Sequence, residues 1–272
     1  MIGCGSGVEV VTDERARLSP LVSHARVVDA TYKGSARHLL AEERYVVKFP
    51  RREGETELVE EWFNELFAHD VGVQLGIPVP ETHLLLMPNG KLGLASSLHS
   101  TFDLATTPPS LWAKVSNIQS LPSLFVFDQF VFNGDRRLDH VVLTGNPGSD
   151  ENVQWYAIDH GHALFSPSGG GVTLDRIEEF ANRLVEIRMN YQVRTFADLL
   201  PAIRAMDHLD ESKLDTLVNH AADTLVAMGL NVNQRTRVEF RREVTRPLVK
   251  ARRIVLPSLL EKWCEQKGLP RS

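Results

Sequence analysis

Ten residues near the middle of the chain decide its fold: Phe132-Asn133-Gly134-Asp135-Arg136-Arg137-Leu138-Asp139-His140-Val141. Asn-Gly is a strong turn signal, so it ends the apolar stretch Leu121–Phe132, which is predicted to be a buried helix. Asp135 then falls on a loop, and His140 stands at the start of a predicted strand, Val141–Thr144. Asp135 is therefore a candidate catalytic base, and His140 is a candidate metal ligand five residues later.

A second carboxylate follows a short apolar strand. Trp155–Ile158 is predicted to be this strand, and Asp159 comes directly after it, before His160-Gly161. Asp159 occupies the place of the aspartate in the Asp-Phe-Gly motif of kinases, which binds the Mg²⁺ that bridges the phosphates. The spacing from Asp135 to His140 also matches the spacing from catalytic base to metal ligand in kinases.

A lysine lies within the apolar strand predicted at Tyr45–Phe49. A buried ammonium group is costly without a partner, although a lysine on an edge strand could instead reach solvent. Glu65 lies seventeen residues after Lys48, on a helix predicted from Leu58 to Leu75. A strand lysine held by a glutamate of the next helix is the arrangement by which kinases hold the α- and β-phosphates.

A turn of small residues, Lys33-Gly34-Ser35, separates the predicted strands Val27–Tyr32 and His38–Leu40. Small residues let backbone N–H groups approach phosphates closely. An ordinary hairpin turn is the alternative interpretation.

The composition is that of a globular protein. The chain has 272 residues, 43% of them hydrophobic and 24% charged, which excludes disordered, collagen-like and coiled-coil chains. No apolar run is long enough to span a membrane, and Met1–Thr12 lacks the pattern of a secretory signal. The net charge of −5 argues against a nucleic-acid partner. Two cysteines form neither a disulfide framework nor a Cys-x-x-Cys zinc motif, so we expect a cytoplasmic protein.

Short β-prone runs dominate the first part of the chain and helical periodicity dominates the second, which predicts an α+β protein. We expect an N-terminal tail at 1–25, a nucleotide-binding N-lobe at 26–105 and a C-lobe at 106–272. The helices predicted near the C-terminus are Asp175–Met189, Thr195–Met206, Glu211–Met228 and Asn233–Gln266.

In this order, the motifs resemble those of the HipA-like kinases, which are related to phosphatidylinositol kinases and, more distantly, to protein kinases. The resemblance extends from about Val27 to Phe165. It rests on Tyr45-Val46-Val47-Lys48-Phe49, Asn64-Glu65-Leu66, Leu75-Gly76-Ile77-Pro78-Val79-Pro80, Asp135-Arg136-Arg137 and Ile158-Asp159-His160-Gly161. It implies a two-lobed protein-kinase-like fold with a small β-rich N-lobe and a larger α-helical C-lobe.

The resemblance also implies a reaction. The γ-phosphoryl group of ATP would pass, with Mg²⁺, to a hydroxyl group, expected to be that of a protein serine or threonine. Lys48 would contact the α- and β-phosphates, Glu65 would hold Lys48, and the turn Lys33-Gly34-Ser35 would cover the phosphates. Asp135 would be the catalytic base and Asp159 the chief Mg²⁺ ligand.

One departure from the family pattern concerns the second metal position. The family has asparagine five residues after the catalytic aspartate, whereas this chain has His140. Mg²⁺ prefers oxygen ligands, so Asp139 could substitute, or the site could favour Mn²⁺. The same departure keeps a nucleotide-binding pseudokinase or interaction module open as an alternative.

Two further interpretations concern charged residues. An Asp/His metal-dependent hydrolase is an alternative function, although it leaves Lys48 and Glu65 without a role. Its ligands would come from Asp135, Asp139, His140, Asp159, His160 and His162. The basic stretch Arg235–Arg253 is either a solvated helix face or a docking surface for an acidic partner.

Overall fold

The computed structural model describes residues 27–29, 38–41, 45–49, 52–53, 56–86, 92–97, 102–149, 152–165, 172–187 and 189–272. The strands are β1 (Val27–Asp29), β2 (His38–Ala41), β3 (Tyr45–Lys48), β4 (Arg52–Glu53), β5 (Thr56–Glu57), β6 (Thr82–Leu86), β7 (Leu92–Ser97), β8 (Phe102–Asp103), β9 (Val141–Leu143) and β10 (Trp155–Ala157). The α-helices are α1 (Val59–Leu75), α2 (Leu121–Phe130), α3 (Ile177–Ala181), α4 (Leu200–Asp207), α5 (Glu211–Ala227) and α6 (Val232–Gln266). The described part is therefore α+β, with most strands before most helices.

An antiparallel sheet in the order β1-β2-β3-β7-β6 forms the first layer. β3 lies inside this sheet, with Lys48 opposite His38 of β2 and Leu94 of β7. The alternative that Lys48 lies on an edge strand is therefore wrong. Because β3 is hydrogen-bonded on both sides, the backbone that carries Lys48 is held in place.

Helix α1 lies in the chain between β5 and β6 and is buried over most of its surface. It ends as predicted at Gly76, whose φ of +68° is the left-handed conformation that glycine adopts without strain. The N–H of Ile77 then bonds the carbonyl of Gly72 at 2.9 Å, and Pro78 prevents a further helical turn. α1 packs against α2, α4, α5 and α6, so its position is set by the helical part of the chain.

Helix α2 lies in the chain between β8 and β9, which belong to a small antiparallel sheet in the order β10-β9-β8. Every residue of α2 except Ser123 is buried, which explains why its sequence is apolar on all sides. Its charged residue, Asp128, is fully buried. The N–H of Ala157 in β10 bonds the carbonyl of Pro78 at 2.8 Å, so the segment after α1 contacts the strand that precedes Asp159.

The helix predicted at Asp175–Met189 is mostly wrong, because α3 ends at Ala181. Buried groups from other helices bind the backbone that would continue it. Arg252 of α6 donates to the carbonyl of Ala181 at 2.8 Å. The side-chain amide of Gln129 in α2 exchanges two hydrogen bonds with the backbone of Val185, both at 2.9 Å. Tertiary contacts therefore override the helical periodicity of this segment.

The basic stretch Arg235–Arg253 lies on α6 and faces acidic residues of the same chain. Lys250 contacts Asp215 of α5 at 2.8 Å. Arg242 pairs with Asp223 of α5, and Arg237 pairs with Glu60 of α1. Much of the positive charge on α6 is therefore used to pack α6 against α5 and α1.

Candidate active site

Three charged side chains meet, one from β3, one from α1 and one from the segment after β10. Nζ of Lys48 lies 2.7 Å from Oε1 of Glu65 and 2.5 Å from Oδ1 of Asp159. Burial disfavours the charged form of Lys48, but the two carboxylates outweigh it and hold the pKa of Lys48 above its ordinary value. Burial likewise acts to raise the pKa of Glu65, yet Lys48 and His160 hold that pKa below its ordinary value. The three groups are therefore charged at neutral pH.

Helix α1 holds the segment that carries Asp159 by two neighbouring side chains. Oε2 of Glu65 accepts a hydrogen bond from the backbone N–H of His160 at 2.9 Å. The amide of Asn64, fully buried, donates to the carbonyls of Gly161 and Ala163, both at 2.8 Å. Sequence reasoning assigned no role to Asn64, although its place beside Glu65 in a buried helix was the available signal.

The backbone at Asp159 is in the left-handed region, with φ of +59°. Aspartate and asparagine tolerate this conformation better than most other residues. Gly161 lies against the charged cluster, because a Cβ added there would meet Nζ of Lys48 at 3.4 Å and Oε1 of Glu65 at 3.5 Å. The turn 159–161 thus brings the Asp159 carboxylate and the backbone of Gly161 to the same ammonium group.

A buried arginine joins the loop of Asp135 to Ile158, the residue after strand β10. The guanidinium of Arg136 contacts the carboxylate of Asp128 in α2 at 3.0 Å. It also donates to the carbonyls of Ile158 at 2.5 Å and His140 at 3.3 Å. The hydroxyl of Tyr191 donates to the same carboxylate oxygen, Oδ2 of Asp128, at 2.9 Å. Removing one member of such a buried pair costs on the order of 3–5 kcal/mol, so this network fixes the loop.

The network was not expected from the sequence. Asp128 is a lone charge in an apolar helix, and that was the available signal. Arg136 is part of the Asp135-Arg136-Arg137 motif, but the sequence indicates no role for it. Nothing in the sequence points to Tyr191.

Asp135 stands at the surface of the same region. Its side chain is 44% exposed, and Oδ2 lies 3.9 Å from Nε2 of His162. The backbone N–H of Asp135 points to Oδ1 of Asn133 at 3.4 Å. The backbone of Asp135 is therefore held by the side chain of Asn133, while its carboxylate remains accessible from solvent.

His140 is buried, but its ring nitrogen Nε2 is engaged. An NH₂ group of Arg137 lies 2.7 Å from Nε2, whereas Oδ2 of Asp159 lies 3.5 Å from the same atom. Arginine can only donate, so Nε2 is unprotonated and accepts from Arg137. Burial lowers the pKa of His140, in agreement with a neutral ring.

Comparison with known proteins supports the same class of fold. No model of a known protein family and no curated protein sequence matches the chain. Among solved structures, the Helicobacter pylori proinflammatory kinase CtkA matches with a TM-score of 0.50 and 17% identity, over 85% of this chain and 96% of that one. HipA from Shewanella oneidensis MR-1, in a toxin–antitoxin complex with HipB and operator DNA, matches with a TM-score of 0.43 and 13% identity. That match covers 89% of this chain and 66% of HipA.

The chain has an α+β kinase-like fold. The resemblance to the HipA-like kinases is thereby confirmed as a likeness of fold. The kinase-like fold accounts for the order of the motifs, because a sheet lysine, a helix glutamate and two loop aspartates are brought to one region.

Asp159 is the best candidate in this kinase-like fold for a metal ligand. Its side chain is 33% exposed, and the polar neighbour of Oδ2 among the described residues is Nε2 of His140, at 3.5 Å. One carboxylate suits Mg²⁺, which keeps several waters and takes its other ligands from substrate phosphates. His140 fits less well, because its Nε2 lone pair faces Arg137 and an imidazole is not a preferred Mg²⁺ ligand.

The remaining predicted site residues are those of the phosphate-binding turn and those of the alternative hydrolase site. Lys33, Gly34 and Ser35 lie outside the described residues. Over the part of the chain that the structure describes, no group of three or more His, Cys, Asp or Glu side chains is arranged to hold a metal ion. His160 in particular is buried against Phe127 and Glu65 rather than near a shared metal position. The hydrolase alternative therefore has no geometric support.

Proposed function

We propose that the chain is a kinase that transfers the γ-phosphoryl group of ATP to the hydroxyl of a protein serine or threonine. The observation that carries this proposal is the ion pair of Lys48 with both Glu65 and Asp159, within a kinase-like fold. In kinases, a strand lysine paired with a helix glutamate contacts the phosphates of ATP, and a nearby aspartate binds Mg²⁺. The protein acceptor comes from the resemblance to HipA-like kinases.

The proposal places ATP between a β-rich N-lobe, about 26–105, and a helical C-lobe, about 106–272. The Lys48 ammonium would contact the α- and β-phosphates, and Glu65 would keep it aimed at them. Glu65 also holds the backbone of His160, so the same carboxylate sets the positions of Lys48 and of the segment after Asp159. The turn Lys33-Gly34-Ser35 would supply backbone N–H groups over the phosphates.

Asp135 would act on the acceptor hydroxyl. An accessible carboxylate at the mouth of the site can orient the hydroxyl and accept its proton as the oxygen attacks the γ-phosphorus. Asp159 would hold Mg²⁺, which supplies positive charge to the β- and γ-phosphates. Arg136 would contact neither substrate, since it is buried between Asp128 and Ile158.

The proposal is tested by Lys48→Met, which removes the charge and keeps most of the side-chain volume. We expect phosphoryl transfer to fall about 100-fold in kcat/KM, because a preorganised positive charge is lost at the phosphates. The assay follows transfer of the labelled γ-phosphoryl group of ATP to the protein itself, to added protein acceptors and to water.

The matched control is Lys250→Met, because Lys250 pairs with Asp215 on the α5–α6 surface and not with site residues. The control is expected to turn over ATP like the wild type. Unchanged turnover in Lys48→Met would contradict the assignment of Lys48 to the phosphates.

A pseudokinase is the second candidate function, and the contact between Arg137 and His140 favours it. This contact engages the side chain that replaces the usual asparagine ligand. A pseudokinase would be stabilised against thermal unfolding by ATP without any transfer of phosphate. Measurement of both properties on the same preparation separates the two functions.

The sequence also led to expectations about the partners and the cellular location of the protein, which do not depend on the reaction. No helix in the described ranges is both long and apolar enough to cross a membrane. The sequence predicts that the protein has no nucleic-acid partner and that it is cytoplasmic. Both statements stay predictions.

A further inference from the structure

One histidine of the segment after β10, His162, has no role in the proposed reaction. The buried side-chain amide of Asn64 donates to the carbonyls of Gly161 and Ala163, the residues on either side of His162, both at 2.8 Å. The N–H of Ala163 also bonds the carbonyl of His160 at 2.8 Å. Helix α1 therefore fixes the backbone from which the His162 side chain extends.

The same segment is joined to the loop that carries Asp135. The N–H of Leu164 bonds the carbonyl of Val131 at 2.8 Å. The rings of Phe165 and Phe132 pack against each other with their centroids 4.5 Å apart. These contacts set the separation of the two backbones, so the approach of the side chains at the mouth of the site depends on side-chain rotation alone.

The ring of His162 approaches the carboxylate of Asp135. Nε2 lies 3.9 Å from Oδ2, which is within ion-pair distance but about 1 Å longer than a hydrogen bond. Both side chains reach solvent, with exposed fractions of 30% and 44%, so rotation can shorten this distance. Hydrogen bonds between catalytic groups are often long in an unliganded enzyme and shorten when the substrate binds.

The carboxylate of Asp135 needs a partner if it is to act as a base in one orientation. The hydrogen bond from its backbone N–H to Oδ1 of Asn133, at 3.4 Å, holds the main chain and leaves the carboxylate able to rotate. Among the described residues, the ring of His162 is the titratable group in ion-pair contact with this carboxylate. Nε2 carries a proton in the charged ring and in one neutral tautomer, so it can donate without a particular charge on the ring.

We propose that His162 is a positioning residue for Asp135, whose Oδ2 it binds through Nε2–H in the substrate complex, so that Oδ1 faces the acceptor hydroxyl. This inference rests on the proposed function, since it assumes that Asp135 is the catalytic base. As the hydroxyl oxygen bonds the γ-phosphorus, the bond from that phosphorus to the leaving oxygen of ADP breaks, and the hydroxyl proton passes to Oδ1. A base that is oriented beforehand lowers the barrier, because its rotation does not have to be frozen in the transition state. The two hydrogen bonds from Asn64 then have the role of aiming His162 at the base.

The experiment measures transfer of label from γ-labelled ATP by the full-length chain to the protein itself, to added casein and to water, and takes kcat from the sum. His162→Met has a side chain of similar size without an N–H donor, whereas the amide of His162→Gln can donate from a position similar to that of Nε2. Asp135→Asn and the double variant His162→Met/Asp135→Asn complete a double-mutant cycle. His208→Met is the matched control, because His208 is an exposed histidine at the C-terminal end of α4 and is not a site residue.

We expect His162→Met to lower kcat by about tenfold, since the base is present but no longer oriented. The KM for ATP should stay within about twofold of the wild-type value, because neither side chain contacts ATP in the proposed complex. His162→Gln should recover most of the lost kcat, and His208→Met should behave like the wild type. In the Asp135→Asn background, His162→Met should lower kcat by less than about twofold, because the base that it orients is gone.

Three results would each overturn the inference: a wild-type kcat in His162→Met, equal losses in His162→Met and His162→Gln, and a loss that persists undiminished in the Asp135→Asn background. Each of them leaves the proposed function standing, since the wild type still transfers phosphate. A wild type that transfers no label to any of the three acceptors would instead overturn both the proposed function and the inference that rests on it. Thermal unfolding of each variant checks that a loss of kcat is not a loss of structure, and the partial exposure of His162 favours folding of both single variants.

Discussion

At the scale of single residues, two aspartates in one region have different surroundings. Asp159 is bound by Lys48, lies near His140 and has a left-handed backbone. Burial acts to raise its pKa, but Lys48 outweighs this and keeps the pKa below its ordinary value. Asp135 has neither contact and is more exposed. These surroundings suit Asp159 to hold a cation permanently and Asp135 to take up a proton transiently.

The roles predict different effects of the same substitution. Asp159→Asn keeps the left-handed backbone and the side-chain shape, so the fold should persist. We expect it to weaken binding of ATP in the presence of Mg²⁺ by at least about tenfold, because the metal loses its charged ligand. Asp135→Asn should leave that affinity within about threefold and lower kcat by roughly 100-fold or more, as for loss of a general base.

Calorimetric titration of ATP, with and without Mg²⁺, measures the binding side of this comparison. Steady-state turnover of both variants measures the expected loss of kcat. The reverse ranking, with metal-dependent binding lost in Asp135→Asn and kept in Asp159→Asn, would show that the two roles have been exchanged.

At the scale of elements, α1 connects the site to the helical part of the chain. Its Asn64 and Glu65 hold the segment after Asp159, while Asp70, five residues after Glu65, contacts α5. Nδ1 of His220 in α5 lies 2.6 Å from Oδ2 of Asp70, and Nδ1 of the neighbouring His69 lies 3.2 Å from Oδ1. The hydrogen bond to Asp70 raises the pKa of His220 above its ordinary value. The packing of α1 on α5 therefore includes an ion pair that depends on pH.

This ion pair predicts a stability difference with a definite sign. A histidine whose folded-state pKa is raised contributes stability that is fully present below its unfolded pKa, 6.5, and is lost as pH rises through the folded value. We expect His220→Gln to lower the free energy of unfolding by about 0.5 kcal/mol at acidic pH, a small effect because the pair is partly exposed. The difference from the wild type should vanish at alkaline pH.

Urea unfolding at about pH 6 and about pH 9 measures this difference, since the pair is charged only at the lower value. In an Asp70→Asn background the same histidine substitution should show little pH dependence, although Asp223 also faces His220 from α5. An equal loss at both pH values in the wild-type background would mean that packing, not charge, is what His220 contributes.

At the scale of the whole molecule, one buried arginine joins three helices. Arg252 of α6 is fully buried and donates to the carbonyls of Gln129 at the end of α2 and Ala181 at the end of α3. Its guanidinium also lies 4.6 Å from the centre of the Phe132 ring. A positive charge at two helix C-termini is favoured by the helix dipoles. Arg252 thus fixes the end of α2 from which the loop of Asp135 begins.

We expect Arg252→Ala to lower the free energy of unfolding by about 3 kcal/mol, because it leaves buried carbonyls unsatisfied and opens a cavity. Arg253→Ala is the matched control, since Arg253 is the next residue on α6 and is only half-buried. It should cost about 0.5 kcal/mol or less. Chemical denaturation of both variants measures the difference, and similar losses would refute the special role of Arg252.

Local features of the fold were predictable from the sequence. The end of α1 at Gly76, the turn after α2, and the helices α5 and α6 follow from turn residues and from apolar periodicity. These signals act over a few residues along the chain, so they can be recognised in the sequence without knowledge of the tertiary structure. The order of the charged motifs likewise suggested a kinase-like arrangement before any geometry was known.

Only the tertiary structure decided which charged groups meet. Lys48 and Asp159 are 111 residues apart and meet only through tertiary packing, in which Glu65 of α1 contacts both Lys48 and the backbone N–H of His160. The early end of α3, the burial of Arg136 against Asp128 and the contact of Arg137 with His140 depend on packing in the same way. Periodicity records which side of an element is apolar, whereas the partner of a buried charge is set by elements distant in sequence. The sequence by itself thus determined the elements and the candidate residues, and the packing of those elements determined their partners.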